Sequence, residues 1–469
     1  MFDAMLKGNL SGFICLGMNP ACSSPNANKA REALSRLDWM VTIDLFETET
    51  TNFWMGPEMN PRKVKTEVFL LPAASPVEKE GSVTDSGRMA QWRYKAIDPP
   101  GEAKSDGQIV NELYMKVKAL YEKEGGKFPD PILKLKWDYA RNGKVDPHLV
   151  AKEINGYDLN TGKLVVNFAK LMDDGTTSCG NWLYSGSYNE EGNLMARRDR
   201  TDPTGIYLFP KWAWSWPLNR RILYNRASVD LNGNPWDPKR AVIKWDAVAG
   251  KWIGDVPDGG WPPLATGKGK LPFIMKPDGV ASIFGPGLAE GPFPEHYEPL
   301  ECPIEKNPLS SQMINPTIAL FEEYACCIPC DPRFPFVATT YRVTEHWQTG
   351  LMTRYQSWLV EAQPQMFVEI GEELAGLRGI KNGEWVRVSS AMGEIEAVAI
   401  VTKRMRPLKV AGQTIHQVGL PWCYGWLVPK DGGESANLLT PTIGDANTVI
   451  PEYKAFLVNV EKLPGEKPA

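Results

Sequence analysis

Apolar and polar positions change rhythm along the 469 residues. Near the start, FICLG within residues 9–18 reads as a short buried strand, broken by Gly17-Met18-Asn19-Pro20. Ala30, Ala33, Leu34 and Leu37 then fall on one helical face, with Asn26 placed to cap it. Trp39 to Leu45 predicts a second strand that carries Asp44 near its end. Val68 to Leu71, closed by Pro72, predicts a third. Strand–helix–strand with short connections is a parallel α/β unit. It has too few strands for a doubly wound sheet. Asn111 to Glu124 has helical spacing. From about residue 336 the period becomes two: QMFVEI, LRGIKNGEWVRVSS, GEIEAVAIVT and QTIHQVGLP alternate between the turns Asn382-Gly383 and Met392-Gly393. Short strands with no long helix between them predict a small closed barrel, ending in the strand AFLVNVE.

The expected fold class is therefore α/β plus β, in three domains: residues 1–108, 109–335 and 336–469. Residues 77–108 read as a charged, Gly-containing loop and a Pro-Gly turn. Residues 173–335 are crowded with Trp, Gly, Pro and Asn and show no clear period. Within them KWAWSWPLNRRILYNRAS (Lys211 to Ser228) joins four aromatics to three arginines. That enrichment suits an interface and equally a packed irregular insertion.

Net charge −4 gives no basic footprint for nucleic acid. No apolar run reaches the roughly 18 residues that a membrane span needs, and the N-terminal residues do not form a signal peptide. Five of the eight cysteines are scattered, while Cys326, Cys327 and Cys330 cluster in ACCIPCDP. No fourth ligand follows at metal-site spacing, so free thiols in a loop are expected there. The four histidines show no metal-binding spacing, and a catalytic metal held wholly by this chain is not expected.

Two places carry candidate chemistry. Gly17 to Pro20 and Asp44 lie at the carboxyl ends of parallel strands, where backbone N–H groups can meet a phosphate and a carboxylate can accept from a ribose hydroxyl or a guanine edge. A tight turn and a capping Asp explain them equally well. Thr339 to Arg354, TTYRVTEHWQTGLMTR, concentrates Tyr341, Arg342, Glu345, His346, Trp347, Thr349 and Arg354. It offers donors, acceptors and an aromatic face for a polar heterocycle, or else a buried polar turn between strands.

Set side by side, several motifs bear a family resemblance. They are G-x-N-P at Gly17 to Pro20, I-D-x-F-x-T-E-T at Ile43 to Thr50, E-K-E-G at Glu78 to Gly81 and P-G-E-A-K-S-D at Pro100 to Asp106. E-H-W-x-T-G at Glu345 to Gly350, the L-x-G-I-x-x-G-x-x-V-x-V-x-S barrel pattern and P-E-Y-K at Pro451 to Lys454 follow in order. FAKLMDDGTTS, WAWSWPLNRRILYNRAS, EGPFPEHYEP and NLLTPTIGDANTVIPEYKAFLVNVEK narrow the match. The whole chain resembles the C-terminal half of the catalytic (alpha) subunit of respiratory-type formate dehydrogenases, in the molybdopterin oxidoreductase superfamily.

The resemblance implies a dimethyl-sulfoxide-reductase-like architecture: a partial Rossmann-like αβα unit, a long insertion and a double-psi-type β-barrel. It implies a bis-molybdopterin guanine dinucleotide holding Mo or W. One dinucleotide would meet Gly17, Asn19, Pro20, Ile43 and Asp44, with Lys79 and Asp106 nearby. The other arm would meet Arg342, Glu345, His346, Trp347, Thr349, Gly350, Asn437 and Lys454. The family's [4Fe–4S] cysteines, its metal-ligating Cys or selenocysteine and its formate-handling His and Arg have no counterpart here. The resemblance thus implies either a partner chain supplying the N-terminal half of the subunit or a sequence that is a fragment of the whole subunit. With it come a further Fe–S electron-transfer subunit, formate and CO₂ as substrates, and a compartment left open, a periplasmic or membrane-associated complex being favoured over a cytoplasmic one. Cys423, in PWCYGW, stands where relatives commonly have His. Another superfamily oxidoreductase such as a nitrate reductase, or a non-catalytic scaffold, is the alternative.

Overall fold

The structure is a computed structural model. It describes residues 1–57, 59–85, 89–197, 199–201, 212–215, 229–230, 232–239, 243–254, 300–309, 326–444, 450–451 and 453–464. The chain divides into two compact units, one made of Met1–Pro72 with Phe284–Ala469 and the other of Ala73–Ile283. The first unit thus draws on both ends of the sequence. Most of the Trp- and Arg-rich run, and Asp445 and Asn447 of the tail, lie outside the described residues.

The first unit begins with α1 (Phe2–Leu6), β1 (Gly12–Leu16), α2 (Pro20–Ser23), α3 (Ala27–Leu34), β2 (Trp39–Asp44) and β3 (Glu67–Pro72). The strands form a parallel sheet in the order β1-β2-β3, in register Phe13↔Met40↔Val68. Asn26 caps α3 as expected, its side chain accepting from the Lys29 N–H at 3.2 Å. The helix stops at Leu34 rather than Leu37, yet Leu37 is buried from the loop beyond it. Met5, Leu34, Leu37, Met40 and Phe53 form the core on one face of the sheet. Each such fully buried side chain contributes about 1.5–3 kcal/mol relative to exposure.

The second unit contains β4 (Gly81–Thr84), β5 (Met89–Arg93), α4 (Asp106–Glu124), α5 (Pro147–Asn155) and the two-residue strand β6 (Ala213–Trp214). Here the structure corrects the expected polar loop at 77–108. β4 and β5 pair as an antiparallel hairpin, with β6 against β5. The charged flanks of EKEGSVT hide the period of two, but Ala90 and Trp92 point inward and are buried. α4 starts five residues earlier than the apolar spacing indicates. Ser105 caps it, accepting from the Gln108 N–H at 3.3 Å. Among the described residues no helix is long and apolar enough to cross a membrane.

The barrel expected from residue 336 onward is present. Its strands are β7 (Phe336–Tyr341), β8 (Phe367–Gly371), β9 (Trp385–Ser389), β10 (Glu394–Thr402), β11 (Gln417–Pro421) and β12 (Phe456–Lys462). They close in the order β7-β11-β8-β10-β9-β12, with β12 pairing back onto β7. Two pairs, β7 with β11 and β8 with β10, are parallel. Val386 and Val388 point inward from β9, and Ile395, Ala397 and Ala399 from β10. The small inward residues Ala338, Ala397 and Ala399 suit the narrow interior of a small barrel.

Candidate functional site

In the first unit, the end of α2 and helix α3 are tied to the C-terminal segment by buried polar groups. The Asn437 Nδ2 donates to the Cys22 carbonyl at 2.7 Å, and Ser435 Oγ donates to the same oxygen at 2.9 Å. Tyr453 OH donates to the Ser23 carbonyl at 3.1 Å. Arg31, 3% exposed, pairs with Glu434 at 2.8 Å and lies over the Trp426 ring. These bonds replace the water that loop backbone would otherwise need.

The deepest of these ties joins Glu49 to Arg354 at 2.8 Å, their side chains 1% and 2% exposed. Arg354 grips both carboxylate oxygens through separate nitrogens. It also donates to the carbonyls of Thr349 and Val428. Asn19 Nδ2 donates to the far oxygen of Glu49 at 2.7 Å, while its Oδ1 accepts from the Thr50 N–H and hydroxyl. Burial works against the charged Glu49, but Arg354 and the Asn19 amide outweigh it and hold the carboxyl below its ordinary value. Neither Glu49 nor Arg354 stood out in the sequence as a partner of the other. The one trace was a run of threonines around Glu49 that the structure buries whole.

The candidate residues divide by what surrounds them. Asn19, His346, Thr349, Arg354 and Asn437 are buried. His346 Nε2 faces the Gln363 carbonyl at 2.8 Å and its Nδ1 faces Thr353 Oγ1 at 3.3 Å. Burial lowers its pKa, which favours the neutral ring. Gly350 has φ +73, and a Cβ there would sit 2.6 Å from the Cys423 carbonyl oxygen. Pro20 opens α2, and Ile43 is part of the sheet interior. Much of the Thr339 to Arg354 run is therefore a buried polar turn, as the second sequence reading held. Its open portion is Arg342, Trp347 and the half-buried Glu345.

Four further candidates are Gly17, Asp44, Thr349 and Lys454. Gly17, at φ +61, closes β1 with its N–H bonded to the Ile43 carbonyl, and nothing lies within 4 Å of where a Cβ would be. Asp44 at the end of β2 accepts from the Leu45 N–H at 2.7 Å. The Thr349 hydroxyl is buried with no hydrogen-bond partner among the described residues. On the barrel, Lys454 Nζ donates only to the Thr340 carbonyl and hydroxyl among the described residues. Burial and the charge of Arg342 both pull its pKa down. Arg342 itself lies 5.6 Å from the centre of the Trp422 ring. No described carboxylate pairs with either cation.

In the second unit Lys79 and Asp106 pair directly. They line a cavity of about 280 Å³ with Glu80, Ser82, Arg93 and Ser105. Beneath it Glu80 accepts from Trp92 Nε1 at 2.8 Å and faces His148 at 3.2 Å.

All eight cysteines are free thiols. Burial, with Asp44 nearby, pushes Cys15 up to about 11, and burial pushes Cys423 up to about 12. Both are protonated at neutral pH, which makes them poor metal ligands. Among the described residues no three His, Cys, Asp or Glu converge on a metal position.

Comparison with known proteins bears on the same segments. Residues 336–457 match the family described as "Molydopterin dinucleotide binding domain", and residues 65–116 match "Molybdopterin oxidoreductase". The chain is 54% identical to formate dehydrogenase subunit alpha of Megalodesulfovibrio gigas, covering 98% of this chain and 47% of that protein. It is 50% identical to the formate dehydrogenase 2 subunit alpha (cytochrome c-553) of Nitratidesulfovibrio vulgaris, over 98% of this chain and 46% of the relative. To the nitrate-inducible formate dehydrogenase major subunit of Escherichia coli it is 46% identical, over 98% and 47%. The chain spans about half the length of the curated relatives it matches.

Proposed function

We propose that this chain is the dinucleotide-binding part of a molybdopterin-dependent formate dehydrogenase catalytic subunit, with the dimethyl-sulfoxide-reductase-like architecture of that superfamily. The remaining part of the subunit, carrying the Fe–S cluster and the metal ligand, completes it as a partner chain in a periplasmic or membrane-associated complex. One observation carries the reading: Arg342 and Lys454 stand together on the dinucleotide-binding domain with no described carboxylate to neutralise them. Two such cations suit a diphosphate, whose oxygens would accept from both. The unpartnered Thr349 hydroxyl and the open turn at Gly17 fit the same ligand.

When bound, the cofactor supplies the two-electron chemistry that interconverts formate and CO₂. The chain's own residues hold and orient it. Lys454 and Arg342 grip phosphate, and the backbone at Gly17 with the Asp44 carboxylate receives the nucleoside end of the other arm. Asn19 and Asn437 act through the backbone they fix. Four relatives between 46% and 54% identity are named as formate dehydrogenases, which favours formate over nitrate as substrate.

The test is cofactor content. Lys454→Ala and Arg342→Ala should each lower, several-fold, the Mo or W and the guanine nucleotide released by acid from the purified complex. Unchanged content in both would sink the assignment.

A further inference from the structure

The buried Glu49–Arg354 pair of the first unit is bonded to both turns that carry candidate ligand groups. On one side stands Asn19, in the turn between β1 and α2. Its Nδ2 donates to Glu49 Oε2 at 2.7 Å, and its Oδ1 accepts from the Thr50 N–H at 3.0 Å. Thr50 Oγ1 accepts in turn from the Ala21 N–H at 3.0 Å, so the Glu49–Thr50 segment holds the chain just beyond Gly17. On the other side, Arg354 Nε donates to the Thr349 carbonyl at 3.1 Å, and the Arg354 N–H donates to the Gly350 carbonyl at 2.8 Å. The same guanidinium therefore fixes the turn whose Thr349 hydroxyl has no partner among the described residues. A third segment is shaped round the carboxylate. The Leu427 N–H donates to Glu49 Oε1 at 3.3 Å, and a Cβ at Gly425 would collide with that oxygen.

Stability alone does not call for such a pair, because apolar residues of similar volume in place of a buried ion pair are often neutral or stabilising. Charge adds direction. A carboxylate offers two oxygens with several acceptor positions, and a guanidinium offers five donors in a rigid fork, so one pair can hold several backbone segments at set distances. We infer that Glu49 and Arg354 are positioning residues that set the spacing between the Gly17–Pro20 turn, where one dinucleotide arm attaches, and the Thr349–Gly350 turn, where the other attaches. The inference rests on the functional reading above and adds that the two attachment places are coupled. Neither residue meets the ligand, since their side chains are 1% and 2% exposed. They act through the turns, as the groups supporting a binding site must when its polar contacts need fixed geometry. A shift of either turn moves one end of the Asn19–Glu49–Arg354 chain of bonds and is resisted by the other.

The experiment compares the wild-type complex with Glu49→Gln, which keeps the shape of the side chain and removes its charge. Amide hydrogen exchange, read by peptide mass spectrometry, should quicken several-fold in both turns, while peptides from β8, β9 and β10 keep the native rate. Guanine nucleotide released by acid should fall at least twofold per chain. The electron paramagnetic resonance signal of the half-reduced metal centre should shift, a signature that a merely structural pair leaves unmoved. Val388→Ala, which trims the barrel core, is the control for lost stability and should retain its nucleotide. Where Glu49→Gln does not fold, Glu49→Gln combined with Arg354→Met strands no charge and carries the same readouts. Faster exchange in only one turn overturns the inference. So do unchanged nucleotide and an unmoved signal when both turns loosen, or a nucleotide loss that Val388→Ala reproduces. Nucleotide and metal in the wild-type complex read the functional proposal separately. Their absence there removes that proposal, whereas their presence in the wild type with undiminished retention in Glu49→Gln removes the positioning role alone.

Discussion

Replacing Arg354 by methionine strands the Glu49 carboxylate in the interior. The two side chains are 1% and 2% exposed, and both guanidinium NH groups that bind the carboxylate are lost. Among the described residues the Asn19 amide, the more distant Leu427 N–H at 3.3 Å and the residue's own backbone N–H remain on Glu49. Removing one member of a buried pair costs about 3–5 kcal/mol, a large share of the roughly 5–15 kcal/mol that holds a domain together. Urea unfolding followed by tryptophan fluorescence, with Trp422 and Trp426 in this unit, measures the loss. The pH dependence sharpens the test. In the native chain Glu49 titrates below the ordinary 4.5, so its stabilisation is complete above that value and is lost as pH falls through the folded pKa. Without Arg354, burial dominates and raises the Glu49 pKa. Acid then neutralises the stranded charge, and the gap between variant and native chain narrows from pH 7.5 to pH 5. Adding Glu49→Gln to Arg354→Met should recover part of the loss at neutral pH. A cost below about 1 kcal/mol, the scale of a surface pair, would refute the reasoning, as would a gap that does not change with pH.

Other perturbations test the neighbouring contacts. Gly350→Ala forces a Cβ toward the Cys423 carbonyl at positive φ and should destabilise the barrel unit by about 1–3 kcal/mol; a melting temperature equal to the native one contradicts this. His346 is favoured neutral by burial, so it supports stability above its unfolded value of 6.5, and that support is lost as pH falls through the lower folded pKa. His346→Phe should flatten that part of the stability–pH curve, and an unchanged slope counts against it. Asn437→Ala removes a donor to the buried Cys22 carbonyl and should cost about 1–3 kcal/mol. Loss of metal with no loss of stability would instead make Asn437 a direct ligand contact.

Local elements were legible in the sequence wherever one physical signal dominated. The barrel strands show their period of two because one side faces a dry interior, and α3 announces itself through Asn26 and its apolar stripe. The motifs around Gly17, Glu345 and Lys454 were equally readable, since backbone turns and clustered polar groups leave local traces. Local pattern failed at the β4–β5 hairpin, where charged flanks masked the alternation, and at the start of α4, where Ser105 rather than an apolar residue sets the boundary.

The sequence by itself determined a short parallel α/β unit and a closed barrel, and it offered candidate residues for a dinucleotide site. Only the tertiary structure decided that residues 1–72 and the barrel form one unit. It also decided that Asn19, His346 and Asn437 spend their polar groups within the protein. Periodicity reports which way a side chain points from its own strand or helix. Whether a buried amide, or a carboxylate like Glu49, meets an arginine some 300 residues away depends on three-dimensional proximity, which no local period records.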